Sequence, residues 1–161
     1  MVTIEQMRLN PVSRAAAIEL QQRCPFVVFT SGRRDRWAQA VAMAQNSIVD
    51  RHWVGATYLR AAPFQTWLDV HHEARTAEQI AHGFLTIMDA MPNEELEQIS
   101  KHLGGNAFDV LPLVRDAAGT PTEEGQTIID VIRQLPGLDK FLAREGKLVR
   151  WHAQFHESAE V

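Results

Sequence analysis

Ser100-Lys101-His102-Leu103-Gly104-Gly105-Asn106-Ala107-Phe108-Asp109 sets an imidazole and a carboxylate on either side of a glycine-containing turn, with a small residue shortly before the acid. A neutral imidazole and a carboxylate on neighbouring strand ends can face one cleft and hold a divalent metal such as zinc at roughly 2.0–2.2 Å. Two ligands leave such a site unfinished, so a third must come from elsewhere. The surrounding segment, Leu96 to Leu113, alternates irregularly and contains Gly104-Gly105. It is expected to form two short strands joined by a tight connection.

Outward from that stretch, the next candidates lie near the end of the chain. Trp151-His152-Ala153-Gln154-Phe155-His156 falls in an expected strand from Leu148 to Phe155 and offers two imidazoles an even step apart, able to share a face. His152 follows an aromatic residue in a run that reads as buried, whereas His156 lies where solvation is common. His102, Asp109 and His152 are therefore the expected metal ligands, and three protein ligands leave a coordination position for water.

The rest of the chain alternates helical and extended patterns. Ala16, Ala17 and Leu20 recur at helical spacing from Ser13 to Arg23, with Ser13 as the cap candidate. Phe26 to Thr30 reads as a buried strand entering the Ser31-Gly32 turn. An amphipathic helix is expected from about Arg36 to Leu59, closed by Pro63, and another from about Thr76 to Met91, both covering one side of a small sheet. Thr122 with Glu123 and Glu124 starts a further helix, which Pro136-Gly137 ends. Trp37, Trp53, Trp67 and Trp151 are expected mostly in the core, and His71-His72 as a solvated pair.

Composition narrows the function. At 161 residues and 45% apolar side chains, the chain can bury one real core, and a single domain over residues 1–161 is expected, with no separate cell-wall-binding domain. Sixteen basic against 20 acidic residues leave a formal charge of -4. That balance gives no electrostatic drive toward nucleic acid or an anionic membrane. No export signal and no run of about 18 apolar residues is visible, so membrane insertion is not expected. The single cysteine, Cys24, rules out an intramolecular disulfide and reads as a small buried apolar residue.

Ser100, His102, Gly105, Ala107 and Asp109 resemble, position for position, the Ser-x-His-x-x-Gly-x-Ala-x-Asp signature of the zinc D-alanyl-D-alanine peptidases, which include bacterial carboxypeptidases, D,D-dipeptidases and phage endolysins. A second mark of that family, a Ser-Gly-Tyr-Arg-like turn with Gln five residues beyond the Arg, is similar to Ser31-Gly32-Arg33-Arg34 and Gln39, with Arg33 at the Tyr position. The resemblance implies an α+β domain of the Hedgehog/DD-peptidase type, a small antiparallel sheet with helices packed on one side. It also implies Zn2+ on His102, Asp109 and His152, Arg34 as the cation for the scissile carbonyl or a substrate carboxylate, and Ser100 and Gln39 near substrate. Ser100 reads equally as a turn cap, and Gln39 equally as a support for the arginine turn.

One departure concerns the general base. Many relatives carry Glu three residues before the last zinc-binding His, or His two before it, and here those positions are Val149 and Arg150. Glu145 is the first candidate, with His156 and Glu157 next. The expected function is a zinc-dependent peptidoglycan peptidase acting as a phage endolysin, a monomer held in the host cytoplasm until release to the cell wall. The alternatives are a cytoplasmic D-Ala-D-Ala dipeptidase or carboxypeptidase, and a non-catalytic zinc-stabilised cell-wall-binding module.

Overall fold

The computed structural model describes residues 1–157. Its elements in chain order are α1 (Pro11–Arg23), β1 (Phe29–Ser31), α2 (Arg36–Val49), α3 (Trp53–Thr57), α4 (Ala62–Val70), α5 (Ala77–Asp89), α6 (Asn93–Ile99), β2 (Ala107–Val110), α7 (Glu123–Ile132), β3 (Leu138–Glu145) and β4 (Leu148–Phe155). The architecture is α+β, with one four-stranded antiparallel sheet in the order β1-β2-β4-β3. Contacts divide the chain into two compact units: Met1–Arg33 together with Gly104–Val161, and Arg34–Leu103.

The first unit holds the sheet. Phe108, Val110, Trp151, Ala153 and Phe155 alternate along β2 and β4 and are buried in one core with Ala16, Ala17 and Leu20 of α1 and Ile128, Ile129 and Ile132 of α7. The two helices thus cover one sheet face, as an α+β layering requires. Asn10 rather than Ser13 caps α1: its Oδ1 accepts from the Ser13 backbone N–H, and Pro11 takes the first helical position, where no N–H is needed. Thr122 caps α7 as the sequence implies. β1 begins at Phe29 rather than Phe26, because Val27 N–H turns back onto the Cys24 carbonyl.

The second unit is helical and has its own core. Ala40, Met43 and Ala44 of α2 pack with Ile80, Phe84 and Met88 of α5, so these two apolar faces meet each other in one core. A continuous helix to Leu59 is not formed: α2 stops at Asp50, and Pro63 opens α4 near its N-terminus instead of closing a helix. Arg51 reaches the end of α4, donating to the Leu68, His71 and Ala74 carbonyls at 2.7–3.1 Å. A Thr76–Gln79 capping box starts α5. Trp53 is buried, but Trp37 is exposed and lies against the His82 ring. His71 is not simply solvated, since its ring stacks on Trp67 with centroids 4.2 Å apart.

The expected strand pair over Leu96 to Leu113 is replaced by α6, a turn, and the single strand β2. Leu96 and Ile99 are both buried, a helical spacing of three that a two-residue alternation cannot provide. No helix among the described residues is long and apolar enough to cross a membrane.

The Trp67 side chain of α4 packs directly on Gly83 of α5, where an added Cβ would lie 2.1 Å from Cζ2. Gly83→Ala is expected to lower unfolding free energy by about 1–3 kcal/mol through overpacking. At Gly55, by contrast, an added Cβ first meets the flexible end of Gln65 at 2.9 Å, and Gly55→Ala should cost less. Urea denaturation of both variants checks this, and equal losses would show that Trp67 does not hold that position.

Candidate metal centre

Register builds the centre. Asp109 on β2 lies directly opposite His152 on β4, and the neighbouring pairs Phe108 with Ala153 and Val110 with Trp151 point into the core. Strand alternation therefore turns Asp109 and His152 to the other sheet face. Ala107, two residues before Asp109 on that same face, is the small side chain that leaves room beside the carboxylate.

His102 is brought up by a turn rather than a strand. Ser100 caps the end of α6, and its Oγ accepts from the His102 backbone N–H at 3.3 Å, a local turn of the Ser/Thr type. The Arg34 backbone N–H donates to the His102 carbonyl at 3.1 Å. Gly105 then adopts φ +75, and its carbonyl accepts from Ser13 Oγ at 2.7 Å and from the Asn10 N–H at 3.0 Å. The chain from His102 to Asp109 is thus pinned at both ends of the turn, with glycine where left-handed backbone is required.

His102, Asp109 and His152 each present one ligand atom, and these atoms lie within 4.8 Å of one another. All three residues are buried, at 1%, 2% and 6% exposure. His152 Nδ1 is 2.9 Å from Asp109 Oδ1. Donors that share a tetrahedral ion at ~2.1 Å stand about 3.4 Å apart, so the pair needs little movement to receive a metal. Two imidazoles and one carboxylate in a buried cluster form a donor set suited to a borderline divalent ion. The group can hold a metal, and no second such group occurs among the described residues.

The other expected site residues fall as follows. Glu145, at the end of β3, places Oε1 4.0 Å from His152 Nδ1, with its side chain 14% exposed. Its Oε2 pairs with Arg150 at 3.2 Å. Gln39 is buried in α2 and its Oε1 accepts from Arg34 Nη1 at 3.4 Å, the supporting role for the arginine turn. Ser100 takes its turn role in the bond to His102. His156 and Glu157 are exposed beyond β4, and His156 Nε2 lies 4.0 Å from Asp139 Oδ1. Cys24 is fully buried, and that burial pushes its thiol above the ordinary range, with Arg23 partly offsetting the effect. A thiol so placed is a poor nucleophile.

Two residues on the sheet's site face escaped the sequence reading: Arg150, paired with Glu145, and Gln154, whose Oε1 lies 3.4 Å from His152 Nε2. Their even spacing from His152 along β4 was the available signal. Compared with known proteins, the chain matches no family model, no curated protein and no solved structure at a significant level.

Metal removal tests the centre directly. Protein equilibrated with zinc at about 100 times its Kd should gain about 2.7 kcal/mol of stability over the chelator-treated form. His102→Ala, Asp109→Ala and His152→Ala should each abolish most of that gain, read as the difference in Tm with and without metal. A metal-dependent rise that survives in all three variants would place the ion elsewhere.

Proposed function

We propose that this chain is a zinc-dependent peptidoglycan peptidase, acting as a phage endolysin on peptide stems or cross-links of the bacterial cell wall. The observation that carries the reading is the convergence of three buried donors: His102 and Asp109, which the zinc D-alanyl-D-alanine peptidase signature marks as ligands, and His152, which the wider resemblance implies as the third. The antiparallel sheet with helices on one face agrees with the Hedgehog/DD-peptidase type that the same resemblance implies.

A zinc ion bound there supplies Lewis-acid activation of water and of the scissile carbonyl. Glu145 is the proton carrier: its Oε1 lies 4.0 Å from His152 Nδ1, within reach of the cluster through one water. Arg34 binds the charge on the substrate carbonyl or carboxylate, with Gln39 holding its guanidinium. Asp109 and His152 are kept from solvent, which strengthens every charge interaction at the reacting centre.

The Glu145–Arg150 pair favours a second reading. Here the carboxylate is held in an ion pair with a guanidinium at 3.2 Å, an arrangement that suits a structural role in a zinc-stabilised wall-binding module without turnover.

Incubation with intact sacculi, soluble muropeptides and free D-Ala-D-Ala separates the readings. The endolysin reading expects turbidity loss from sacculi and new peptide termini by mass spectrometry, absent with His102→Ala. Cleavage of the dipeptide alone would indicate a dipeptidase, and zinc retention without turnover a binding module. Glu145→Gln should lower kcat about 10²–10⁴-fold with zinc content unchanged; undiminished kcat would exclude Glu145 as the proton carrier.

A further inference from the structure

On the sheet face that carries His152, a second side chain is arranged to control which ring nitrogen is available. Gln154 lies two residues further along β4, half-buried, with Oε1 3.4 Å from His152 Nε2. Its amide nitrogen donates to Asp139 Oδ2 at 2.6 Å, across the β3–β4 pairing. A carboxylate only accepts hydrogen bonds, so Asp139 fixes the amide with its NH2 toward β3 and its oxygen toward the imidazole. An amide oxygen in turn only accepts, so the bonded partner nitrogen, Nε2, carries the hydrogen. The other nitrogen, Nδ1, lies 2.9 Å from Asp109 Oδ1, a hydrogen-bond distance at which the metal-free ring holds a proton that a bound metal would displace.

We propose that Asp139 and Gln154 form a positioning relay that holds His152 in the Nε2–H tautomer, leaving the Nδ1 lone pair for the metal. The inference rests on reading His102, Asp109 and His152 as a metal site, and adds the two residues that orient its third ligand. Outer partners of this kind fix ring orientation and tautomer, and their loss costs about 10–100-fold in metal affinity. At 3.4 Å the contact to His152 is long for an N–H···O bond, so the effect belongs at the lower end of that range.

The test measures zinc affinity by competition with a chromogenic chelator, together with ¹⁵N NMR of the histidine rings in zinc-loaded protein. Wild type should show one zinc and a His152 ring metallated at Nδ1 with a protonated Nε2. Gln154→Leu should weaken zinc binding about tenfold. Asp139→Asn, at a more exposed position, should give a smaller loss and provides the reading if Gln154→Leu does not fold. The double variant Gln154→Glu with Asp139→Asn reverses donor and acceptor between the two strands while keeping an oxygen beside Nε2, and should restore affinity. Unchanged zinc affinity in Gln154→Leu and Asp139→Asn, or a zinc-bound Nε2, would overturn the relay while leaving the metal site standing. Absence of zinc binding in wild type would overturn both.

Discussion

The pairing of β2 with β4 in one register is the constraint on which the sheet unit and its donor residues depend. That register sets Asp109 opposite His152 and, on the opposite face, Phe108 opposite Ala153 and Val110 opposite Trp151. A slip of one residue would exchange the faces, turning a carboxylate and an imidazole into the apolar core and exposing Phe108 and Trp151. Burying an unpaired carboxylate costs several kcal/mol, and each large aromatic turned outward forfeits a further few. The hydrophobic core and the Asp109–His152 pair are therefore specified by the same set of backbone hydrogen bonds.

Such a cluster is costly without something between its members. Asp109 and His152 have side chains only 3% and 7% exposed, and their facing atoms are 2.9 Å apart, so a proton or a cation must lie between two electron-rich atoms. Two nearby side-chain atoms are buried without such pairing. Asn106 Oδ1, beside β2, and Trp151 Nε1, next to His152, are buried side-chain atoms without a hydrogen-bond partner. Departures from full polar satisfaction gather at functional sites more than in ordinary cores.

Much of this was legible in the sequence where one local signal acted alone. β4 runs from Leu148 to Phe155 as its alternation implies, and α7 follows its Thr122 cap. His102 and Asp109 could be named from motif spacing and His152 from its place after Trp151 in an expected strand, yet only the sheet register explains how the last two meet. What misled was competition between signals. Gly104-Gly105 suggested a hairpin, whereas the spacing of Leu96 and Ile99 made the preceding segment a helix. Asn10-Pro11 outranked Ser13 as a helix start, and Pro63 acted at a helix beginning rather than an end. β3 went unread because half of its residues face solvent, and its surest mark was the two-residue Gly146-Lys147 connection to β4.

That connection also bears on the missing acid. Gly146 takes φ +57, as a tight two-residue hairpin requires at its first central position, and the pair Glu145 with Leu148 closes the turn. Leu148, Arg150 and His152 alternate along one face of β4, so cross-strand pairing brings Glu145 onto that face too. Position 149 carries no carboxylate, and the adjacent strand places Glu145 Oε1 4.0 Å from His152 Nδ1. Position 150, with the same facing as His152, carries the arginine that engages it. In a sheet, neighbours across the ladder are as close as neighbours along the strand, so a linear motif can lose a residue while the surface it describes keeps the functional group. Arg150 thus fixes the Glu145 carboxylate on the face that carries His152, and the placement of that acid is set by the hairpin and the ion pair together.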